Sequence, residues 1–123
     1  MEPAILHTAA GVEFETAERC AILELSNSAD DPSMSIARAR VRPGVTTRWH
    51  LVRDTAERYV ILVGNGRVEV GELAPHDVGP GDVVRIPPSC RQRISNTGRG
   101  DLVFLALCTP RFRQEAYEDL EQG

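Results

Sequence analysis

Two stretches decide how this chain folds: GVTTRWHLVRDTAERYVILVG, residues 44–64, and GDVVRIPPSCRQRISN, residues 81–96. The first sets Gly44, His50, Val52, Glu57 and Gly64 at fixed intervals. The second does the same with Gly81, Pro87, Ser89, Gln92 and Asn96. Between the fixed positions the residues are β-branched and apolar, in runs of strand length. Gly64-Asn65-Gly66 tolerates positive φ and should close a hairpin. Gly79-Pro80-Gly81-Asp82 and Asn96-Thr97-Gly98 are further turn clusters.

Outward from these stretches the same pattern continues. Candidate strands are 12–16, 20–26, 34–42, 48–52, 58–63, 67–73, 82–86, 92–96 and 102–108. Short strands separated by glycine and proline predict an all-β jelly roll closed on itself. With 123 residues and no linker, the expectation is one domain over 1–123, with an arm at 1–11 and a tail at 110–123. The tail predicts a short helix over 113–120, after the breaker Pro110. A helix that short needs packing against the barrel to persist.

The spacing resembles that of the cupin family, whose motifs read G-x5-H-x-H-x3–4-E-x6-G and G-x5-P-x-G-x2-H-x3-N. Gly44, His50, Glu57, Gly64, Gly81, Pro87 and Asn96 match; Val52 and Gln92 stand where the family has histidines, and Ser89 where it has glycine. The resemblance implies a double-stranded β-helix and a divalent metal (Mn, Fe, Ni or Zn), at low occupancy if the thinned ligand set is weak. The surviving ligand positions are His50 and Glu57, with Gln92 as a neutral amide donor.

Side chains alternate along a strand, so residues two apart share a face. If His50, Glu57 and Gln92 point inward, then Arg48, Tyr59 and Cys90 line the same pocket, provided the strands are regular through them. Arg48 is then a fork for a substrate carboxylate, Tyr59 a hydrogen-bond donor or acid beside Glu57 as base, and Cys90 a wall residue. Each has a structural rival: a core histidine, a Glu57–Arg48 or Glu57–Arg93 ion pair, a buried amide. Arg38, Arg40 and Arg42 alternate with Ala37, Ala39 and Val41, which places the arginines outward unless one serves as an anion anchor. His7 and His76 lack a partner at ligand spacing and read as surface.

Composition narrows the chemistry further. All 14 basic residues are arginine, which excludes Schiff-base and P-loop lysine chemistry. A net charge of −4 argues against nucleic acid as a partner, since phosphate binding needs a concentrated basic face. No apolar run reaches membrane-spanning length, and the start carries Glu2 and no basic residue, unlike a secretory signal. Three cysteines, Cys20, Cys90 and Cys108, form no close pair, so a reducing, cytoplasmic setting is expected. The expected function is a small cupin acting on a small anionic or oxygen-rich molecule, by isomerase- or lyase-type chemistry in preference to dioxygenase chemistry. The alternative is a non-catalytic binding cupin whose metal site has decayed. The resemblance implies a homodimer paired through a sheet, and the outward Trp49 and Leu51 would need covering.

Overall fold

In the computed structural model, which describes residues 1–8 and 11–121, eleven strands form two sheets. They are β1 (Phe14–Glu15), β2 (Ala21–Ser26), β3 (Ser35–Val41), β4 (His50–Val52), β5 (Ala56–Val63), β6 (Gly66–Val70), β7 (His76–Val78), β8 (Val83–Ile86), β9 (Gln92–Asn96), β10 (Leu102–Thr109) and β11 (Tyr117–Asp119). One sheet has the order β1-β2-β3-β10-β5-β8, the other β11-β4-β9-β6-β7. Every ladder is antiparallel, and consecutive strands cross repeatedly from one sheet to the other. The all-β jelly-roll expectation holds. No helix of the described residues is long and apolar enough to cross a membrane.

The alternating pattern sorts the side chains. On β5, Glu57, Tyr59 and Ile61 face in and Arg58 and Val60 face out; on β9, Gln92, Ile94 and Asn96 face in. On β3, Ala39 and Val41 are buried, while Arg40 reaches out to Glu13 and Asp101. Ile61, Ile94, Leu102 and Phe104 form the packed end of the barrel with Val68, Val70, Val84 and Ile86.

Two motif glycines have a backbone reason. Gly64 has φ of +90°, and a Cβ there would stand 2.6 Å from the Asp101 carbonyl oxygen. Gly81 has φ of +89° and donates its N–H to Ile61, which turns the chain into β8.

The tail corrects the expected helix. Residues 114–116 make a single 3-10 turn with no side-chain cap, and Tyr117–Asp119 then pairs with β4 as β11. Eight residues are too few to sustain an α-helix, whereas the edge of β4 offers unpaired backbone groups. The Arg53 N–H donates to Ala116 and the Leu120 N–H to Trp49 at the two ends of this pairing. Strand β7, another edge strand, also lies outside the expected set; its Pro75-His76-Asp77 stretch reads as a turn.

Asn96 ties the sheets at the packed end. Its Nδ2 donates to the carbonyls of Val41 and Gly100, each at 2.8 Å, and its Oδ1 accepts from the Gly98 N–H at 2.9 Å. Asn96→Ala leaves these buried groups without partners and should lower unfolding stability by about 2–4 kcal/mol in urea titration. A loss under about 1 kcal/mol would show that the asparagine is not structural.

Candidate functional site

At the other end of the barrel a cavity of about 350 Å³ opens between the sheets. Small side chains make the room: Ala37 and Ala39 on β3 and Ala106 on β10. Polar groups line it, among them Glu57 and Tyr59 from β5 and Glu18 from the turn between β1 and β2. Phe14, Phe104, Phe112 and Tyr117 complete its aromatic wall with Tyr59. A volume of this size suits a small organic molecule.

His50, Glu57, Tyr59 and Gln92 come together as the alternation predicts. His50 and Gln92 are direct partners across β4 and β9. The Gln92 amide spans to the opposite sheet: its Nε2 donates to Glu57 Oε1 at 2.9 Å, and its Oε1 accepts from the Tyr59 hydroxyl. His50 Nδ1 lies 2.7 Å from the Arg48 carbonyl. A carbonyl only accepts, so Nδ1 carries a proton and donates it to that carbonyl. His50 Nε2 lies 3.8 Å from Glu18 Oε2, and the ring stacks on Tyr117 with centroids 5.1 Å apart.

Burial governs the acid–base character here. Desolvation raises the Glu57 carboxyl above its ordinary value; His50 opposes that rise and Glu18 adds to it. Burial, reinforced by Glu57, holds the Tyr59 hydroxyl protonated. The Cys108 thiol, also pushed up by burial and by Glu57, is a poor nucleophile.

The expected metal donors do not converge as placed. Gln92 turns N–H, not oxygen, toward Glu57, and its oxygen is taken by Tyr59. Among the described residues no group of three or more His, Cys, Asp or Glu side chains is set to hold an ion. As placed, the Gln92 amide is taken up by Glu57 and Tyr59 and turns no free oxygen toward His50.

Two expected wall residues lie elsewhere. Strand β4 begins only at His50, so alternation does not reach Arg48; the buried neighbour is Thr47, whose hydroxyl accepts from the Ile94 N–H. Arg48 instead binds Asp119 at 3.1 Å and the Glu121 carbonyl at 3.3 Å. Strand β9 begins at Gln92, which leaves Cys90 in the preceding turn, against Gly71 and outside the cavity lining. Arg38, Arg40 and Arg42 pair with Glu13, Asp101 and Glu15 and do not line the cavity either. His7 and His76 are exposed. The outward Trp49 is half-buried under Arg93, at 4.4 Å, and Arg91, at 5.3 Å.

Sequence reading missed Glu18 and Tyr117 as site residues. Both reach the site through contacts distant in sequence. Glu18 belongs to no motif, and Tyr117 sits in a tail read as helix. The sole hint was the polar Glu18 beside the apolar strand start at Cys20.

The cupin domain model matches residues 37–108, well over half of the chain, and the chain belongs to that family. Glucose-6-phosphate isomerase of Pyrococcus horikoshii is 38% identical over 63 residues, 48% of this chain and 33% of that protein. The chain thus spans about a third of the length of that relative, and the same holds for the Pyrococcus abyssi enzyme. Among solved structures, Streptomyces PAC13 with uridine superposes with a TM-score of 0.81 at 15% identity, over 98% of this chain and 93% of PAC13. The capsular polysaccharide assembling protein CapF of Staphylococcus aureus superposes at 0.76 and 20% identity, over 91% of this chain and 34% of CapF. At these identities the structural likenesses establish the fold.

A buried carboxyl with a raised pKa has a defined effect on stability. Its contribution is fully present below the unfolded carboxyl's pKa and is lost as pH rises through the folded value. Glu57→Gln keeps the acceptor for Gln92 and removes the charge. The variant should melt about 3–5 °C above wild type near pH 8, with little gain near pH 5, by scanning calorimetry. An equal gain at both pH values would show that Glu57 does not titrate with folding.

Proposed function

We propose that this chain is a small cupin enzyme that takes a small hydroxylated molecule into the barrel cavity and moves a proton on it, in non-redox isomerase- or lyase-type chemistry. The observation that carries this reading is Glu57: a buried carboxyl at the cavity wall, fixed by the Gln92 amide, with its proton affinity raised by burial. An ionised Glu57 takes a proton from an acidic C–H beside a carbonyl. It then returns that proton to the neighbouring carbon or oxygen, or to a departing hydroxyl, which leaves as water. The Tyr59 O–H donates its hydrogen bond to Gln92 Oε1, so its oxygen lone pair is left to accept from a substrate hydroxyl. His50 Nε2, with Glu18 beside it, is the second proton acceptor of the site.

Partial likeness to isomerases that act on glucose 6-phosphate supports the reaction class, as does overall likeness to PAC13, a nucleoside dehydratase. The rival reading keeps the divalent ion expected from the His50–Glu57 spacing. A screen of aldoses, ketoses and nucleosides, run with and without chelator, separates the two. Turnover that survives chelation and falls about 100-fold or more in Glu57→Gln supports proton transfer by this carboxyl. Turnover lost on chelation and restored by manganese, iron, nickel or zinc supports the metal. Ligand binding without turnover in either arm identifies a binding module.

A homodimer belongs to the same reading. Light scattering at micromolar concentration should give about twice 13.5 kDa; a mass near 13.5 kDa contradicts it.

A further inference from the structure

The chain has three phenylalanines, two tyrosines and one tryptophan. All three phenylalanines and both tyrosines line the one cavity. The carboxylates divide less sharply: among the described residues Glu2, Asp30, Asp31, Asp54, Asp82 and Glu115, all outside the cavity, also have no arginine within ion-pair distance. Outside the cavity, Glu13, Glu69, Asp77, Asp101, Glu118, Asp119 and Glu121 each meet an arginine. At the cavity rim Glu15 is matched by Arg42 at 2.9 Å. Among the described residues no arginine stands within ion-pair distance of Glu18, Glu24 or Glu57, which all line the cavity. None of the 14 arginines is itself a lining residue.

This arrangement reverses the expectation of an anionic ligand. An anion would meet the carboxyl groups of Glu18, Glu24 and Glu57 with no arginine among them, and would lose its hydration on entry. A cation meets the negative faces of aromatic rings and carboxylates that no arginine of the chain neutralises. We propose that the barrel cavity is selective for a small organic cation, a protonated amine on a flat or apolar body, and excludes phosphorylated and carboxylated molecules. This rests on the reading of the cavity as the ligand site and names its substrate class. It also separates this chain from its sugar-phosphate-acting relatives, since among the described residues no arginine lines the cavity to pair with a phosphate.

Three probes of one shape test the charge: phenethylamine, phenethyl alcohol and phenylacetate, titrated into the full chain with amide chemical shifts followed at Ala37 and Ala106 in the cavity wall. The amine should shift both residues and bind about tenfold tighter than the alcohol, with phenylacetate weakest. Glu24→Gln, which removes a lining carboxylate outside the catalytic set, should weaken the amine about tenfold and leave the alcohol unchanged. If the alcohol or phenylacetate binds at these residues as tightly as the amine, the charge selectivity is overturned while the cavity stands as the ligand site. If none of the three shifts Ala37 or Ala106, both readings fall.

Discussion

The Gln92 side chain is the joint on which the site depends. It rises from β9 in one sheet and bonds Glu57 and Tyr59 on β5 in the other. A buried carboxyl needs a donor, and a buried phenol needs an acceptor; one amide supplies both. Asn96 performs the corresponding task four residues along the same strand, where it reaches the Val41 carbonyl across the barrel. One short strand therefore carries a polar tie at each end, and the sheets are pinned where they would otherwise be free to slide. Between the ties Ile94 is fully buried and packs in the apolar core.

With the spacing fixed, the composition of the walls sets the cavity. Alanine on β3 and β10 keeps it open, and the aromatic residues narrow it. The arginine-only basic set contributes by its absence: arginine forks are engaged on the outside, along β3 and around the tail. The tail in particular is held by charge. Asp119 and Glu121 grip Arg48, and Glu121 also reaches Arg19 and the Trp49 N–H. That grip places Tyr117 over His50 and closes one side of the site.

Much of this was legible from spacing. The turn glycines and the inward row of Glu57, Tyr59 and Ile61 follow from fixed intervals and a period of two. Legibility failed at strand ends. Arg48 and Cys90 each sit two residues before β4 and β9, where alternation no longer dictates direction. It failed again where the site borrows from distant chain. Glu18 and Tyr117 come from the first turn and the last strand, and only the closure of the barrel brings them near His50. The tail was misread because Tyr117–Asp119 takes its conformation from the free edge of β4, a partner that local propensity does not register.

The single tryptophan, Trp49, lies on the outer side of the second sheet, layered with Arg91 and Arg93, the latter held by Glu69. The cavity, by contrast, holds phenol and phenyl rings alone. The molecule thus carries two separate optical reporters. Indole emission follows the state of the outer sheet face, and tyrosine absorption and near-ultraviolet dichroism follow the interior. A ligand that settles among the inner rings would leave the fluorescence traditionally used to detect binding almost unchanged.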